Sequence, residues 1–502
     1  MFDAFFGSLV EVLQPQTMAL LVTGVAVGFL VGILPGLGGP VTLALMLPFT
    51  FSMEPIQAFA FLLGMLVVTS TTGDITSVLF GIPGEATAAA AALDGYPLTR
   101  RGEGGRALGA VLFSSLLGSL IGAAVLAAAV PIIRPVVLAL GAPEFFVLTL
   151  LGLTFVVALS GHQVIKGFLM AAAGLLVAVV GVDSQDGVPR YTFDQLYLFD
   201  GIGLVPLVIG LFGGAEVLQL MLSRQSIAGG AEAPSKVTGV GQGIRDTLRN
   251  WSVVVRSSAI GVTVGMIPGL GGSVAQFIAY GSAKQSSKNP ELFGKGAIDG
   301  VIASGANNNA RDSGSLIPTI AFGIPGGANT AVLLSAFLIV GLNPGPEMLT
   351  TNVDVTFSMV WITVIANAIA VAAAFLVLKP LTRLTFISGP LLVPFLVLLM
   401  ALGAYSATNS YGDILTMLAA AAIGVACIRW NWPRIPFLLA VVLGGLAERY
   451  LFVSYGLFGW SWLSRPVVIG LLVVMALVLF APLIRQIRDR RRDRSRDEVT
   501  VP

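Results

Sequence analysis

One cysteine, Cys427, and one histidine, His162, are all that 502 residues hold of either type. A lone cysteine excludes an intrachain disulfide and any cysteine-rich metal site. A lone histidine argues against a histidine-ligated metal, so no transition metal is expected. Charge is scarce as well. Only 11% of the residues are Asp, Glu, Lys or Arg, where a soluble protein carries about 25%. No GKS, GKT or HExxH occurs, which removes P-loop ATP coupling and zinc-protease chemistry. Matches to G-x-G-x-x-G mean little in a chain with 60 glycines.

What remains is apolar. Hydrophobic residues make up 56% and the mean hydropathy is +0.90. Apolar runs of about 20 residues recur, each long enough to span a bilayer. The fold class expected is an all-α polytopic membrane protein with about 10–14 membrane segments. The net charge of +2 does not point to nucleic acid, because the basic residues lie in loops and in the tail. Residues 1–17 lack the basic start and cleavage site of a signal peptide. They read as an interfacial amphipathic helix, with Phe2, Phe5, Phe6, Leu9 and Leu13 near one face.

The apolar length is interrupted, and the interruptions recur. Met18–Pro48 is broken by Pro35-Gly36-Leu37-Gly38-Gly39, and Val253–Ala283 by Pro268-Gly269-Leu270-Gly271-Gly272. Proline removes a backbone donor and blocks the preceding turn. Unpaired backbone at membrane depth is tolerated only where protein or a water-filled cavity receives it. A second pair of breaks follows, Gly81-Ile82-Pro83-Gly84 and Gly323-Ile324-Pro325-Gly326. Pro35 and Pro268 are 233 residues apart, Gly81 and Gly323 242 apart. Two motifs in one order at nearly one offset indicate a duplication. Repeat 1 is placed at 18–222 and repeat 2 at 251–446, with a polar linker at 223–250. A C-terminal segment follows at 447–484, then an Arg-rich tail at 485–502 read as disordered. Further spans are expected at Ala107–Ile133, Phe145–Leu159, Ile165–Val180, Ile202–Leu222, Thr356–Leu378, Leu391–Ala404, Ile414–Cys427 and Ile435–Leu446.

Loop charge orients the copies, since basic loops prefer the cytoplasm. Thr50–Gln57 has no Lys or Arg and Thr99–Arg106 has three; in the second copy Lys284–Lys295 has three and Leu342–Asp354 none. Opposite bias at matching positions predicts inverted-topology repeats with broken or re-entrant helices. The tail, with seven arginines, is expected in the cytoplasm.

A helix restarting after a break offers free N–H groups to an anion. Such restarts place Gly36, Gly38, Gly39, Gly84, Gly269, Gly271, Gly272, Gly326 and Gly327 at a substrate site. Helix halves that end at the breaks offer carbonyls to Na⁺. Two polar knots add side chains. Ser70, Thr71, Thr72 and Asp74 lie before one break; Asn307, Asn308, Asn309, Arg311, Asp312 and Ser313 lie before the other. Ionisable groups at membrane depth are costly and usually functional. The three asparagines and Arg311 are therefore substrate-binding candidates, and Arg311 suits a bidentate carboxylate contact. Thr71, Thr72, Asp74 and Ser313 are cation-coupling candidates, with Na⁺ near Asp74. The plain alternatives are an N-cap role for Asp74, a loop with capping asparagines, and an internal Arg311–Asp312 salt bridge. His162 with Lys166, Asp413, Glu85 and a Glu448–Arg449 pair read as interfacial or capping groups. Trp430, Trp432, Trp460 and Trp462 read as interface anchors.

Several stretches together are similar to one family. GILPGLGGP, FGIPGEA, LDGYPLTRRGEGGRALG, GVPRYTFDQLYLFDGIGLVPLVIGLF, GMIPGLGG, FGIPGGANTAVLLSAFLIVGLNPGPEM and PFLLAVVLGGLAE resemble the large membrane permease (TctA family) of tripartite tricarboxylate transporters. The resemblance covers roughly residues 18–450 and implies a non-enzymatic secondary symporter of the bacterial inner membrane. It implies carboxylate import coupled to Na⁺ or H⁺, with no other cofactor. Implied partners are a small membrane subunit of about four spans (TctB-like) and a periplasmic solute-binding protein (TctC-like). Ala306–Ser313, with Arg311-Asp312, departs from the Ala-rich run usual after the family's Asn pair, so citrate does not follow as the substrate. Alternating access is the expected mechanism. The alternatives are a passive channel and an intramembrane aspartyl protease using Asp74 and Asp413, although Thr71 stands where a G-x-G-D motif needs glycine.

Overall fold

In a computed structural model of the chain, residues 1–32, 38–158, 163–183, 186–222, 238–268, 270, 272–384 and 389–479 are described. The expectations for Gly36, Gly269, Gly271, His162 and the Arg-rich tail fall outside them. The first half runs α1 (Phe2–Val12), α2 (Pro15–Gly32), α3 (Gly39–Met46), α4 (Pro55–Phe80), α5 (Ala89–Arg100), α6 (Gly104–Leu138), α7 (Ala142–Ala158) and α8 (Val164–Ala178). A two-stranded hairpin, β1 (Gly181–Val182) and β2 (Pro189–Arg190), precedes α9 (Leu204–Val208), a π-turn at Ile209–Gly214 and α10 (Ala215–Leu222). The second half runs α11 (Val240–Arg249), α12 (Trp251–Gly265), α13 (Gly272–Ser286), α14 (Ile298–Phe322), α15 (Ala328–Ile339) and α16 (Val353–Leu384). It closes with α17 (Gly389–Thr408), α18 (Tyr411–Arg429), α19 (Arg434–Phe458) and α20 (Pro466–Leu479).

The protein is an all-α membrane protein. Among the described residues, seven helical segments are long and apolar enough to cross a bilayer, and seven shorter apolar ones accompany them. Large apolar side chains face outward along these helices, as Ile132 and Val136 do on α6, Ile165 and Phe168 on α8, and Phe395 and Leu402 on α17. A hydrocarbon surround suits such a surface.

The order α1–α6 returns as α11–α16. A short helix, a helix that stops at the first break, the restarted helix, a long buried helix, a short helix after the second break and a long apolar span occur in both. Packing exchanges partners between the copies. Helix α1 rests on α16 and α11 on α6; α4 meets α16 and α14 meets α6; α3 meets α15 and α13 meets α5. Likewise α8 packs on α19, and α18 on the π-turn after α9.

Small residues set the closest approaches. A methyl group at Gly28 would sit 2.6 Å from the Met65 carbonyl oxygen, and one at Gly261, 233 residues on, 2.7 Å from that of Asn307. Glycine lets α2 lie against α4, and α12 against α14, backbone to backbone, as small-xxx-small faces do in lipid. These contacts enclose α4 and α14. Every residue of α4 from Ala58 to Phe80 is buried, as is every residue of α14 from Gly300 to Ala321. The polar knots are thereby kept from lipid, whose contact would cost several kcal/mol per unpaired group.

Three boundaries differ from expectation. Residues 240–249 of the expected linker form α11, clamped to α6 because Arg106 reaches both Glu103 and Asp246 at 2.6 Å. Helix α19 runs unbroken through Leu446, so the boundary expected there lies inside a helix and the span is longer than Ile435–Leu446. Helix α6 extends to Leu138, past Ile133, although it contains Pro131 and Pro135.

Candidate functional site

The breaks at Gly81 and Gly323 are real interruptions with ordered ends. Helices α4 and α14 both stop at a glycine with φ +69°, Gly81 and Gly323. That left-handed conformation is open to glycine at little cost and ends a helix. Gly84 then returns to α4, its N–H donating to the Gly73 carbonyl at 3.4 Å. A Cβ at Gly84 would lie 2.6 Å from Gly73 Cα, and one at Gly326 2.6 Å from Ser315 Cβ. Chain restarts follow at Gly39, Ala89, Gly272 and Ala328.

Each restart already has a partner. Gly39 N–H donates to Glu85 Oε2 at 3.3 Å, and Thr87 donates to Glu85 Oε1 at 2.5 Å. Ala90 N–H donates to Gln276 Oε1 at 2.9 Å, and Gly327 N–H to Thr330 Oγ1 at 3.1 Å. The Arg311 guanidinium fills the space a side chain at Gly272 would need.

The polar knots lie within helices rather than in loops, and the fold brings them together. Asp74 is inside α4, so it is not an N-cap, and the asparagines are inside α14. Asn308 donates one amide group to the Ser70 carbonyl at 2.9 Å and to Asp74 Oδ2 at 3.1 Å. Asn309 donates to Thr71 Oγ1 at 3.0 Å and to Ser115 Oγ at 2.7 Å. Ser70 donates to Asp312 Oδ2 at 2.9 Å. Asn307 faces the other way and donates to the Ser257 carbonyl of α12 at 3.2 Å. Thr72 and Ser313 close back on their own helices, on Val68 O at 2.9 Å and Asn309 O at 3.3 Å.

Donors in this cluster run out before acceptors. Asp74 Oδ1, Asn308 Oδ1 and Asn309 Oδ1 are buried with no hydrogen-bond partner among the described residues, and the three side chains are at most 1% exposed. A buried carboxylate oxygen and two buried amide oxygens left without donors are costly unless a cation or water meets them. Oxygen-only donors suit a hard cation rather than a transition metal. Among the described residues no group of three His, Cys, Asp or Glu side chains is arranged to hold a metal ion.

Beside the knots lies a cavity of about 680 Å³. Gly38, Gly84, Gly272, Gly326, Gly327 and Arg311 line it. Thr71, Thr72, Asp74, Ser313 and the three asparagines do not; they stand behind its wall. Asp312 belongs to both places, since it lines the cavity and bonds to Ser70 of the knot. Its other oxygen, Oδ1, accepts from Arg311 Nη2 at 2.5 Å.

Sequence reasoning missed the far side of this cavity. Arg434, at the start of α19, donates to Glu216 Oε1 at 2.8 Å and to the Leu211 carbonyl at 3.1 Å, and lies over the Phe212 ring. Trp432, Asn329 and Thr330 also line it. A signal was present: Glu216 is an acidic residue inside an apolar span, which lipid does not tolerate unpaired. Asp94 was missed too. Its Oδ1 accepts from the N–H groups of Gly294, Gly296 and Ala297 at 2.8–2.9 Å, and Oδ2 from Tyr280 at 2.8 Å, tying α5 to the start of α14.

The remaining candidates are structural. Asp413 accepts from Tyr197 at 2.9 Å and from Thr408 N–H at 3.1 Å, joining α17 to α18. It shares no partner with Asp74, whereas a proteolytic dyad needs its carboxyls within a few Å. Glu448 pairs not with Arg449 but with Arg190 of the hairpin, at 2.6 Å. Lys166 donates to the Trp430 carbonyl at 2.9 Å. Trp430 and Trp460 are exposed, but Trp462 is buried against Val147 and Val468, so it is a packing residue rather than an anchor.

Discontinuous helices, a cavity at their ends and an oxygen-rich knot beside it define a class, that of polytopic α-helical membrane proteins with a cavity among their helices. Residues 18–439 match the tripartite tricarboxylate transporter TctA family, and the chain belongs to that family. It is therefore a membrane component of a tripartite transporter. It is 33% identical over 485 residues to an "Uncharacterized 52.8 kDa protein in TAR-I ttuC' 3'region" of Agrobacterium vitis, covering 95% of this chain and 96% of that one. An "Uncharacterized protein in TAR-II ttuC' 3'region" of the same organism is 30% identical over 237 residues, 46% of this chain and 98% of that one. No solved structure matches the chain.

Proposed function

We propose that the chain is the large permease of a carboxylate importer of the bacterial inner membrane. It works by alternating access, is coupled to Na⁺ or H⁺, is supplied by a periplasmic binding protein and is accompanied by a small membrane subunit. One observation carries this reading: a cavity of about 680 Å³ sits where four helix restarts and two arginines converge. That volume suits a small organic acid. Arg311 and Arg434 offer charge-assisted contacts in a setting where little water competes. The exchange of packing partners between the two copies supports an inverted relation. Repeats so related give a transporter two equivalent arrangements of one site.

Proteoliposome uptake of carboxylates, with and without a Na⁺ or pH gradient and with and without the cognate binding protein, tests this. Uptake requiring both is expected. Ion-independent flux makes the chain a passive channel instead. Asp74→Asn is expected to insert normally and to lose cation-driven uptake about tenfold or more, since it removes a charged partner from a buried cluster. Full cation-driven uptake by that variant rejects the knot as the coupling site.

A further inference from the structure

The cavity and the knot are joined through one carboxylate. Asp312 Oδ1 accepts from Arg311, which faces the cavity, and Oδ2 accepts from Ser70, whose own carbonyl holds Asn308 against Asp74. The line Arg311–Asp312–Ser70–Asn308–Asp74 is buried throughout, none of its members being more than 7% exposed. Two of its members, Asp74 and Asn308, each keep a side-chain oxygen with no hydrogen-bond partner among the described residues. These positions belong to both halves of the chain, α14 supplying the charged pair and α4 the serine and the aspartate.

We propose that Asp312 is the positioning residue that makes substrate and Na⁺ bind cooperatively, by changing partners between the cavity and the knot. The proposal rests on the reading of the cavity as the carboxylate site. While the cavity holds no anion, Arg311 neutralises Asp312. An incoming carboxylate competes for the same guanidinium. Once Arg311 turns to it, the charge on Asp312 is no longer balanced, in surroundings of low dielectric. A cation beside Asp74, further along that line, then gains Coulomb energy that it lacked before. Linkage makes the effect reciprocal: Na⁺ in the knot draws on Asp312 and leaves Arg311 freer for substrate. No bond is made or broken covalently, and the net change in the site is one carboxylate and one cation.

The test needs no identified substrate. Binding of radiolabelled Na⁺ is measured on the purified full chain in lipid nanodiscs, with no carboxylate present. Arg311→Gln imitates capture of the guanidinium and is expected to tighten Na⁺ binding about fivefold or more, within the usual range of site–site coupling. Asp312→Asn is expected to weaken it by a similar factor, and the double variant to behave as Asp312→Asn does. Arg311→Lys keeps the charge and is expected to keep native affinity, which separates charge from folding. Thermal melting checks that each variant is folded. Unchanged or weaker Na⁺ binding in a folded Arg311→Gln overturns the relay. If the native chain shows no saturable Na⁺ binding that Asp74→Asn removes, the cation site falls with it. If it does, and only the Arg311 and Asp312 variants are without effect, the site stands and the relay alone is wrong.

Discussion

The two repeats share a backbone and differ in charge. Helix ends, break positions and the φ of +69° at Gly81 and Gly323 correspond. Yet Glu85 follows Gly84 in one copy, where Gly327 follows Gly326 in the other. Helix α14 carries Arg311-Asp312 at the positions where α4, 242 residues earlier, carries Thr69-Ser70. Asp312 and Ser70, equivalent by that offset, are hydrogen-bonded to each other at 2.9 Å. Such a contact is what the proposed inverted relation of the two halves requires. The comparison teaches that the two halves share an order of helices and breaks, while charge is distributed unequally between them. A site with identical halves would set like charges face to face. Unequal halves let one supply an acid and the other a base.

The largest effects are expected where the backbone correspondence is broken. A side chain at Gly32 would enter Thr69 and Thr72 of α4, and one at Gly265 would enter the Arg311 and Ser315 backbone of α14. Gly32→Leu and Gly265→Leu are each expected to destabilise by about 3 kcal/mol or more, at the upper end of overpacking costs. Uptake is lost in both. Thermal melting in detergent, alongside proteoliposome uptake, reads the two together. If one variant is tolerated and its counterpart is not, the repeats are not mechanically equivalent and the comparison fails at its root.

A smaller effect sharpens the charge difference. Glu85 holds the start of α3 and lines the cavity, so a carboxylate of the protein already occupies one restart. Glu85→Gln removes a like charge from the path of an anionic substrate and is expected to lower the KM for a transported carboxylate about threefold or more. Gly327→Glu, which would give repeat 2 the same acid, is expected to raise it. Initial rates of uptake across a substrate series measure both. Opposite signs support unequal halves; equal signs mean that Glu85 only holds the loop.

Much of this was legible in the sequence, because backbone breaks are written in proline and glycine. The recurrence of GIPG located the ends of α4 and α14 without structural help. Composition fixed the membrane class, since lipid admits few charges. What could not be read was which face of a helix its polar residues take. Asn308 and Asn309 were grouped with substrate contacts because they precede a break. In the fold they point from α14 to α4 and Ser115, behind the cavity wall. Arg434 lies more than a hundred residues beyond the second break, on a helix brought to the cavity by long-range packing on α8 and α7. No local pattern ties it to Gly38 or Gly272. The Glu448–Arg190 pair joins residues 258 positions apart and displaced the neighbouring Glu448–Arg449 pairing for the same reason. Sequence proximity proposes salt bridges; the fold chooses among them.

The smallest effect comes from a region with no counterpart. Residues 179–203 connect α8 to α9 and contain the β1–β2 hairpin, whereas only 430–433 connect α18 to α19. The insert is anchored by Arg190, which reaches Glu448 at 2.6 Å and Asp183 at 3.3 Å, with about a third of its side chain in contact with solvent. Ion pairs of that exposure contribute about 1 kcal/mol or less, because water and salt screen them. Arg190→Gln is therefore expected to lower the melting temperature slightly, more at low salt than at high, and to leave uptake at the native rate. The argument depends on where transport resides. If the duplicated elements carry it, an element present in one copy alone is free to vary. Loss of uptake in Arg190→Gln at near-native stability shows that the unpaired insert takes part, as a docking point or a gate, and that the correspondence between the halves is not the whole of the machine.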